Sequence, residues 1–196
     1  MPLFVACVAA ESGRVDAGPD GTHDAGTMMK VEDVMTHDPQ CCRADDDLAT
    51  VANVMWDLDC GCVPITGDHH RIAGMITDRD IAMAALLNGK PLHELRVQSV
   101  MAKEIVNAKV GDSIREVQAL MRRSKVRRLP VTDDAGKVVG IVSLHDLARA
   151  ATREKRRFFP NIRMKDVAVT LCEITEPTPK PALPERAPAD HVAYAE

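Results

Sequence analysis

Apolar residues recur at helical spacing over Leu48, Val51, Ala52 and Met55, and again over Ile114, Val117, Leu120 and Met121. That spacing predicts two amphipathic helices, each with one buried stripe. Asp47 and Ser113 stand just before these runs, where N-caps belong. Two apolar, partly β-branched runs follow each helix: Cys62–Thr66 with Arg71–Ile76, and Arg128–Thr132 with Lys137–Val142. They predict strand pairs joined by the polar turns Gly67-Asp68-His69-His70 and Asp133-Asp134-Ala135-Gly136. A shorter strand is expected before each helix, near Gln40–Arg43 and Ile105–Val110. A second helix closes each set, over Asp78–Leu87 and from Leu144 to about Arg157.

The two sets are copies. Val34-Met35 matches Val100-Met101 at an offset of 66 residues (100 less 34), and the offset holds without a gap to Ala82 and Ala148. Identical pairs along it include Asp46/Asp112, Val51/Val117, Met55/Met121, Pro64/Pro130, Gly74/Gly140 and Asp80/Asp146. Conservative pairs such as Leu48/Ile114, Ile76/Val142 and Thr77/Ser143 lie between them. Size and polarity are kept where a core needs them, which marks a structural duplication. One unit of about sixty residues buries too little apolar surface to be comfortable alone. Two packed through their sheet faces would share a core. The expected fold class is therefore α/β (α+β): two β-α-β-β-α repeats, 29–92 and 93–157, packed through their sheets with pseudo-two-fold symmetry.

The flanks read differently. Residues 1–28 carry Gly13, Gly18, Gly21 and Gly26 among polar residues without periodicity, and are expected to be a disordered extension; Met28 or Met29 would start the module neatly. Residues 158–196 hold one short element at Met164–Ile174, which the pattern leaves open as helix or strand. A flexible tail with prolines from Pro177 to Pro188 follows.

Composition narrows the function classes. Aromatics are only 3% of the chain, so the core must come from Val, Ile, Leu, Met and Ala; the formal charge of −4 gives no electrostatic reason to expect nucleic acid as a principal partner. Six scattered cysteines, among them the vicinal Cys41-Cys42 and the Cys60-x-Cys62 pair, fit no disulfide framework and point to reduced thiols in the cytoplasm. Leu3–Ala10 is too short to span a bilayer and lacks a basic lead, so no membrane association is expected.

Several strings occur twice in one register. They are Cys60-Gly61-Cys62-Val63-Pro64 with Gly74-Met75-Ile76-Thr77-Asp78-Arg79-Asp80, and Val126-Arg127-Arg128-Leu129-Pro130 with Gly140-Ile141-Val142-Ser143-Leu144-His145-Asp146. With the openings Val34-Met35-Thr36 and Val100-Met101-Ala102, they resemble a tandem pair of CBS domains, the family named after cystathionine β-synthase. The resemblance covers about two thirds of the chain. It implies a regulatory module that takes an adenine nucleotide (AMP, ADP, ATP) or S-adenosylmethionine in clefts between the repeats. It also implies a homodimeric disc, with the helices of Val51, Met55 and Trp56 and of Val117 and Met121 as its surfaces, and signalling to an unidentified regulated protein through conformational or dimer change.

The residues fit such a ligand. A strand that ends at Thr77 or Ser143 and opens a helix turns free N–H groups and the positive dipole end outward, making a phosphate seat. Asp80 and Asp146, one turn inside, can accept both hydroxyls of a ribose. Gly74 and Gly140 would let the backbone approach the ligand closely. Val63-Pro64 and Leu129-Pro130 would flank a flat base, Arg79 and Arg128 are candidate phosphate partners, and Thr36 belongs to the same set through its opening segment. His145 stands where the first copy has Arg79, so the two clefts are expected to differ. The competing reading is local: Thr-x-x-Asp and Ser-x-x-Asp also make capping boxes worth about 1 kcal/mol per cap. On the motif alone, capping stands first; within the duplicated module, binding in at least one cleft stands ahead of capping in both.

Other constellations rank lower. Cys60, Cys62, His69 and His70 lack a second Cys pair or a spaced His pair, so no metal is expected. The basic run Arg149, Arg153, Lys155, Arg156 and Arg157 is accounted for by the helix dipole and a solvated face, with nucleic-acid binding as the alternative. There is no Ser-His-Asp set, no phosphate loop with lysine and no metal-plus-base arrangement, so neither enzymatic activity nor a cofactor is expected. A ligand-free dimeric scaffold that recruits a partner through its tail is the remaining alternative.

Overall fold

In the computed structural model, which describes residues 28–154 and 161–177, each strand and helix expected of the repeat forms. The expected N-terminal extension, the cluster Lys155, Arg156 and Arg157 and most of the proline-containing tail lie outside the described residues. The first repeat runs β1 (Thr36–His37), β2 (Cys42–Arg43), α1 (Leu48–Asp57), β3 (Cys62–Thr66), β4 (Ile72–Thr77) and α2 (Asp78–Asn88). The second runs β5 (Ala108–Lys109), α3 (Ile114–Ser124), β6 (Arg128–Thr132), β7 (Val138–Ser143) and α4 (Leu144–Glu154). Met164–Thr175, left open by the pattern, is a helix, α5.

The caps follow the sequence. Asp47 Oδ1 accepts from the Thr50 N–H at 2.8 Å, and Ser113 forms a capping box with Glu116. β4 and β7 run one residue further than the apolar pattern indicates, to Thr77 and Ser143. Thr77 is extended (φ −117°, ψ 162°), which lets it end the strand and cap the helix at once.

Each sheet repeats one topology: β2 pairs parallel with β3 and β3 antiparallel with β4, and β5, β6 and β7 do likewise. The opening segments cross over. β1 pairs antiparallel with β7 of the second repeat, Thr36 opposite Ile141. Ala102 bridges Met75 of the first repeat. These two contacts exchange under the 66-residue offset, as do the bridges Lys30–Ser113 and Asp47–Arg96, while Arg71–Lys137 maps onto itself. Contacts that pair i with j and j with i are the signature of a two-fold relation, here inside one chain.

The cores follow the same exchange. Rather than one shared core, there are two apolar clusters. Leu48, Val51, Met55, Val63, Ile65 and Ile76 gather with Leu95 and Val97 from the lead into the second repeat. Ile114, Val117, Met121, Leu129, Val131 and Val142 gather with Val31 and Met35 from the first, and with Val167 and Ile174 of α5. Each sheet is covered by its own helices, so it is the other repeat's lead-in segment that completes its core and locks the pair.

The glycines serve that lock. A Cβ on Gly74 would lie 2.6 Å from Met101 Sδ and 3.1 Å from the Ala102 carbonyl oxygen, and one on Gly140 would overlap the Met35 thioether. Gly74 and Gly140 therefore admit the crossing methionines, where the sequence suggested close approach to a ligand.

Candidate functional site

Thr77 ends β4 opposite Cys62 and opens α2. Its N–H donates to Asp80 Oδ2 at 2.9 Å; its hydroxyl donates to the same oxygen at 2.7 Å and accepts from the Asp80 N–H at 3.2 Å. The second copy repeats this. Ser143 N–H and hydroxyl reach Asp146 Oδ2 at 2.9 and 2.6 Å, and the Asp146 N–H returns at 3.2 Å. The capping box is thus real in both copies. In both, every bond falls on Oδ2, and Oδ1 has no hydrogen-bond partner among the described residues. An ionised carboxylate has acceptor capacity beyond these contacts. Capping and ligand binding are then not rivals: one oxygen fixes the carboxylate and the other remains available.

What surrounds the two turns differs. Thr77 and Asp80 line a cleft of about 690 Å3 whose other walls come from elsewhere in the chain. Ala102, Glu104, Ile105 and Val106 supply one wall, and Val126, Arg127, Arg128 and Pro130 of the second repeat another. The cleft is thus built from both repeats, with Arg127 and Arg128 as cations and Asp80 and Glu104 as anions. Asp146 lines a smaller pocket of about 350 Å3 with Asp33, Thr36, His37, Arg149 and Arg153.

The structure gathers Thr77, Asp80, Arg128 and Pro130 in the first cleft, and Thr36 with Asp146 in the second pocket. Val63 and Leu129 are buried in the two cores. Pro64 is buried in β3 opposite Met75. Arg79 is exposed at the start of α2, its N–H taken by Asp78 Oδ1 at 2.7 Å. His145, also exposed, borders a shallow groove with Ala148, Arg149, Thr152 and Arg153.

Sequence reasoning missed the wall Ala102–Val106 and Arg127. The signal was present, since Ala102 is the 66-residue counterpart of Thr36. No motif marks Glu104.

Burial disfavours the thiolate form of the thiols near the cleft. Burial pushes Cys62 up to about 11 against the lowering effect of Arg128, and burial also raises Cys60. Cys62 lies at the Thr77 end of β3, whereas His69 and His70 lie in the turn beyond its other end, so the four residues do not assemble. Among the described residues no group of three or more metal-ligating side chains occurs, and no helix is long and apolar enough to cross a membrane.

The family model of the CBS domain matches residues 31–87 and 97–153, the two repeats in turn. The chain belongs to the CBS domain family. Among its relatives, the uncharacterized protein YlbB of Bacillus subtilis is 32% identical over 130 residues, 66% of this chain and 86% of YlbB. Hypoxic response protein 1 of Mycobacterium tuberculosis is 33% identical over 122 residues, 62% of this chain and 85% of that protein. Its crystal structure, described with two coordinated zinc ions, superposes with a TM-score of 0.57 over 62% of this chain and 98% of that one. A CBS domain pair crystallised with 5′-methylthioadenosine and S-adenosyl-L-methionine is 25% identical, with a TM-score of 0.57 over 63% of this chain and 95% of that chain. The CBS pair thus accounts for the described fold except α5.

Proposed function

We propose that this CBS pair is a cytoplasmic, non-catalytic regulatory module that binds an adenosine-containing ligand in the cleft between Asp80 and Arg128, and that it acts as a homodimer on a regulated protein. One observation carries the reading. Asp80 is held by the capping box through Oδ2, leaving Oδ1 to accept from a ribose within a cleft whose far wall belongs to the other repeat. The cleft's volume of about 690 Å3 falls in the usual range for small-molecule sites, about 300–1,000 Å3. Pro130 and Val126 offer apolar surface to a base, Thr77 opens the N-terminus of α2 toward a phosphate or other anionic group, and Arg128 supplies charge. The related pair crystallised with S-adenosyl-L-methionine and 5′-methylthioadenosine supports this class of ligand. A ligand bridging the walls would favour one packing of the two repeats and shift the population toward it.

Calorimetry with AMP, ADP, ATP and S-adenosylmethionine tests the reading. Binding of at least one is expected; flat titrations of folded protein with all four would remove it.

A further inference from the structure

The turn that builds the far wall of the first cleft is also the turn that α5 grips. Residues 122–128 run from the last turn of α3 into β6. Ser124, Val126, Arg127 and Arg128 line the cleft, whereas Arg122 and Lys125, which do not line it, are taken by α5. Arg122 donates to Thr170 Oγ1 at 3.1 Å and pairs with Glu173 at 3.4 Å; the Lys125 ammonium donates to the Glu173 carbonyl oxygen and pairs with Glu176 at 3.2 Å. Neighbouring residues of one short turn thus serve the cleft and the helix. Lys125 also has a backbone conformation that lysine disfavours. It ends α3 in the left-handed region, φ 54° and ψ 36°, where glycine is the usual residue and Asn and Asp are tolerated. The 66-residue offset takes Lys125 to Asp59, which adopts the same region, φ 48°, with one of those tolerated side chains. In the second repeat a side chain anchored on α5 stands in its place.

α5 itself is lightly held. It packs on α3 and α4, and of its twelve residues only Val167, Thr170 and Ile174 are buried. Its ion pairs are partly exposed, so they fix position more than they add stability. A helix with so few buried contacts opens at a lower free-energy cost than the core elements. We propose that α5 regulates the first cleft: docked, it holds the turn 122–128 in the shape that completes the cleft wall, and undocked, it releases that wall. The proposal rests on the ligand reading above and adds the element through which that site is controlled. A ligand that needs the wall in place binds the docked state better. By linkage it then favours docking of α5 by the same factor.

Calorimetry with AMP, ADP, ATP and S-adenosylmethionine, and hydrogen exchange across residues 164–175, are measured on the full chain. Lys125→Gly and Ile174→Arg loosen α5 from its two sides, and neither residue lines the cleft. Glycine accepts the left-handed conformation, so Lys125→Gly removes the anchor alone. Each variant is expected to bind whichever of the four compounds the parent takes at least ~5-fold more weakly, the low end of ordinary coupling. In the parent, that compound at saturation should slow exchange across residues 164–175 by a comparable factor. Val169→Arg, on the exposed side of α5, should change neither readout. Should Ile174→Arg unfold the second repeat, Arg122→Ala, which removes only surface fastening, takes its place. Affinity unchanged in the loosened variants, or an α5 whose exchange ignores the bound compound, would overturn the coupling and leave the ligand reading standing. Four flat titrations of the folded parent would instead remove the ligand reading, and the coupling with it.

Discussion

At the first β-to-α turn, Asp80 lines a cleft of about 690 Å3 opposite Arg127 and Arg128; at the second, Asp146 lines a pocket of about 350 Å3 beside Arg149 and Arg153. The turns themselves are nearly superposable in their bonding, 2.9, 2.7 and 3.2 Å against 2.9, 2.6 and 3.2 Å. The walls have diverged. Under the 66-residue offset Arg128 replaces Cys62, Arg127 replaces Gly61, and Arg149 and Arg153 replace Met83 and Leu87. A duplicated local motif therefore gives a duplicated cap, whereas the cleft around it is set by residues outside that cap.

The largest effect expected from that asymmetry concerns ligand affinity. Asp80→Asn keeps an oxygen that can accept from Thr77, so the cap survives, but the amide presents donors where Oδ1 stood. Hydrogen bonds to a charged group are worth about 1.5–3 kcal/mol each, so losing the pair that a ribose would make should weaken a first-cleft ligand at least ~10-fold, read by calorimetry. Asp146→Asn should leave that affinity unchanged. Equal losses in the two variants would break the comparison and make the sites equivalent.

A smaller effect separates the two crossing points. Gly74→Ala meets both a methionine sulfur and the Ala102 carbonyl, which is fixed in its bridge to Met75. It should cost about 1–3 kcal/mol of stability, as overpacking does. At Gly140 the three nearest atoms all belong to the Met35 side chain, which can turn away, so Gly140→Ala should cost less. Because Ala102 also lines the first cleft, only Gly74→Ala should weaken its ligand. Urea midpoints and calorimetry on both variants check the order, and a greater cost at Gly140 would reverse the argument.

Below that lie the caps. Thr77→Ala and Ser143→Ala should each cost about 1 kcal/mol, and equally, because the bonds they remove are alike. Unequal urea midpoints would show that the turns sense their surroundings.

How much of this was legible in the sequence follows from the range of each interaction. The helices, the strand pairs and the caps at Asp47, Ser113, Thr77 and Ser143 depend on neighbours three or four residues away, and periodicity reports those directly. Asp80, Arg128 and Pro130 could each be picked out as candidates from the repeated strings, but the repeat alone does not combine Asp80 of the first copy with Arg128 and Pro130 of the second in one cleft. The crossing of Met35 onto Gly140 and Met101 onto Gly74 was not legible, since the two contacts span 105 (140 less 35) and 27 (101 less 74) residues and leave no periodic trace. The same holds for Glu104, a loop residue placed by that crossing. Val63 and Leu129 sit in motif strings beside lining positions, but strand alternation turns them into the cores.

The smallest effect compares the starts of α1 and α3 in acid. Hydrogen bonding from the Thr50 N–H holds Asp47 below its ordinary value of 3.8, and bonding from the Ser113 N–H, then its hydroxyl, holds Glu116 below 4.5. In each the folded chain binds the proton less readily than the unfolded one. Stability is therefore present above the unfolded value and is lost as pH falls through the folded one. For Glu116 the loss begins as pH drops below about 4.5, and for Asp47 below about 3.8, so on acidification the stability contributed by the α3 cap should begin to fall before that contributed by the α1 cap. Both carboxylates are exposed and screened by salt, which keeps the effect small. Glu116→Gln, which retains an acceptor but not the charge, should flatten the upper part of the fall in Tm with pH, and Asp47→Asn only the lower part. If Asp47→Asn flattened the upper part instead, the order of the two caps, and with it the last distinction drawn between the repeats, would be wrong.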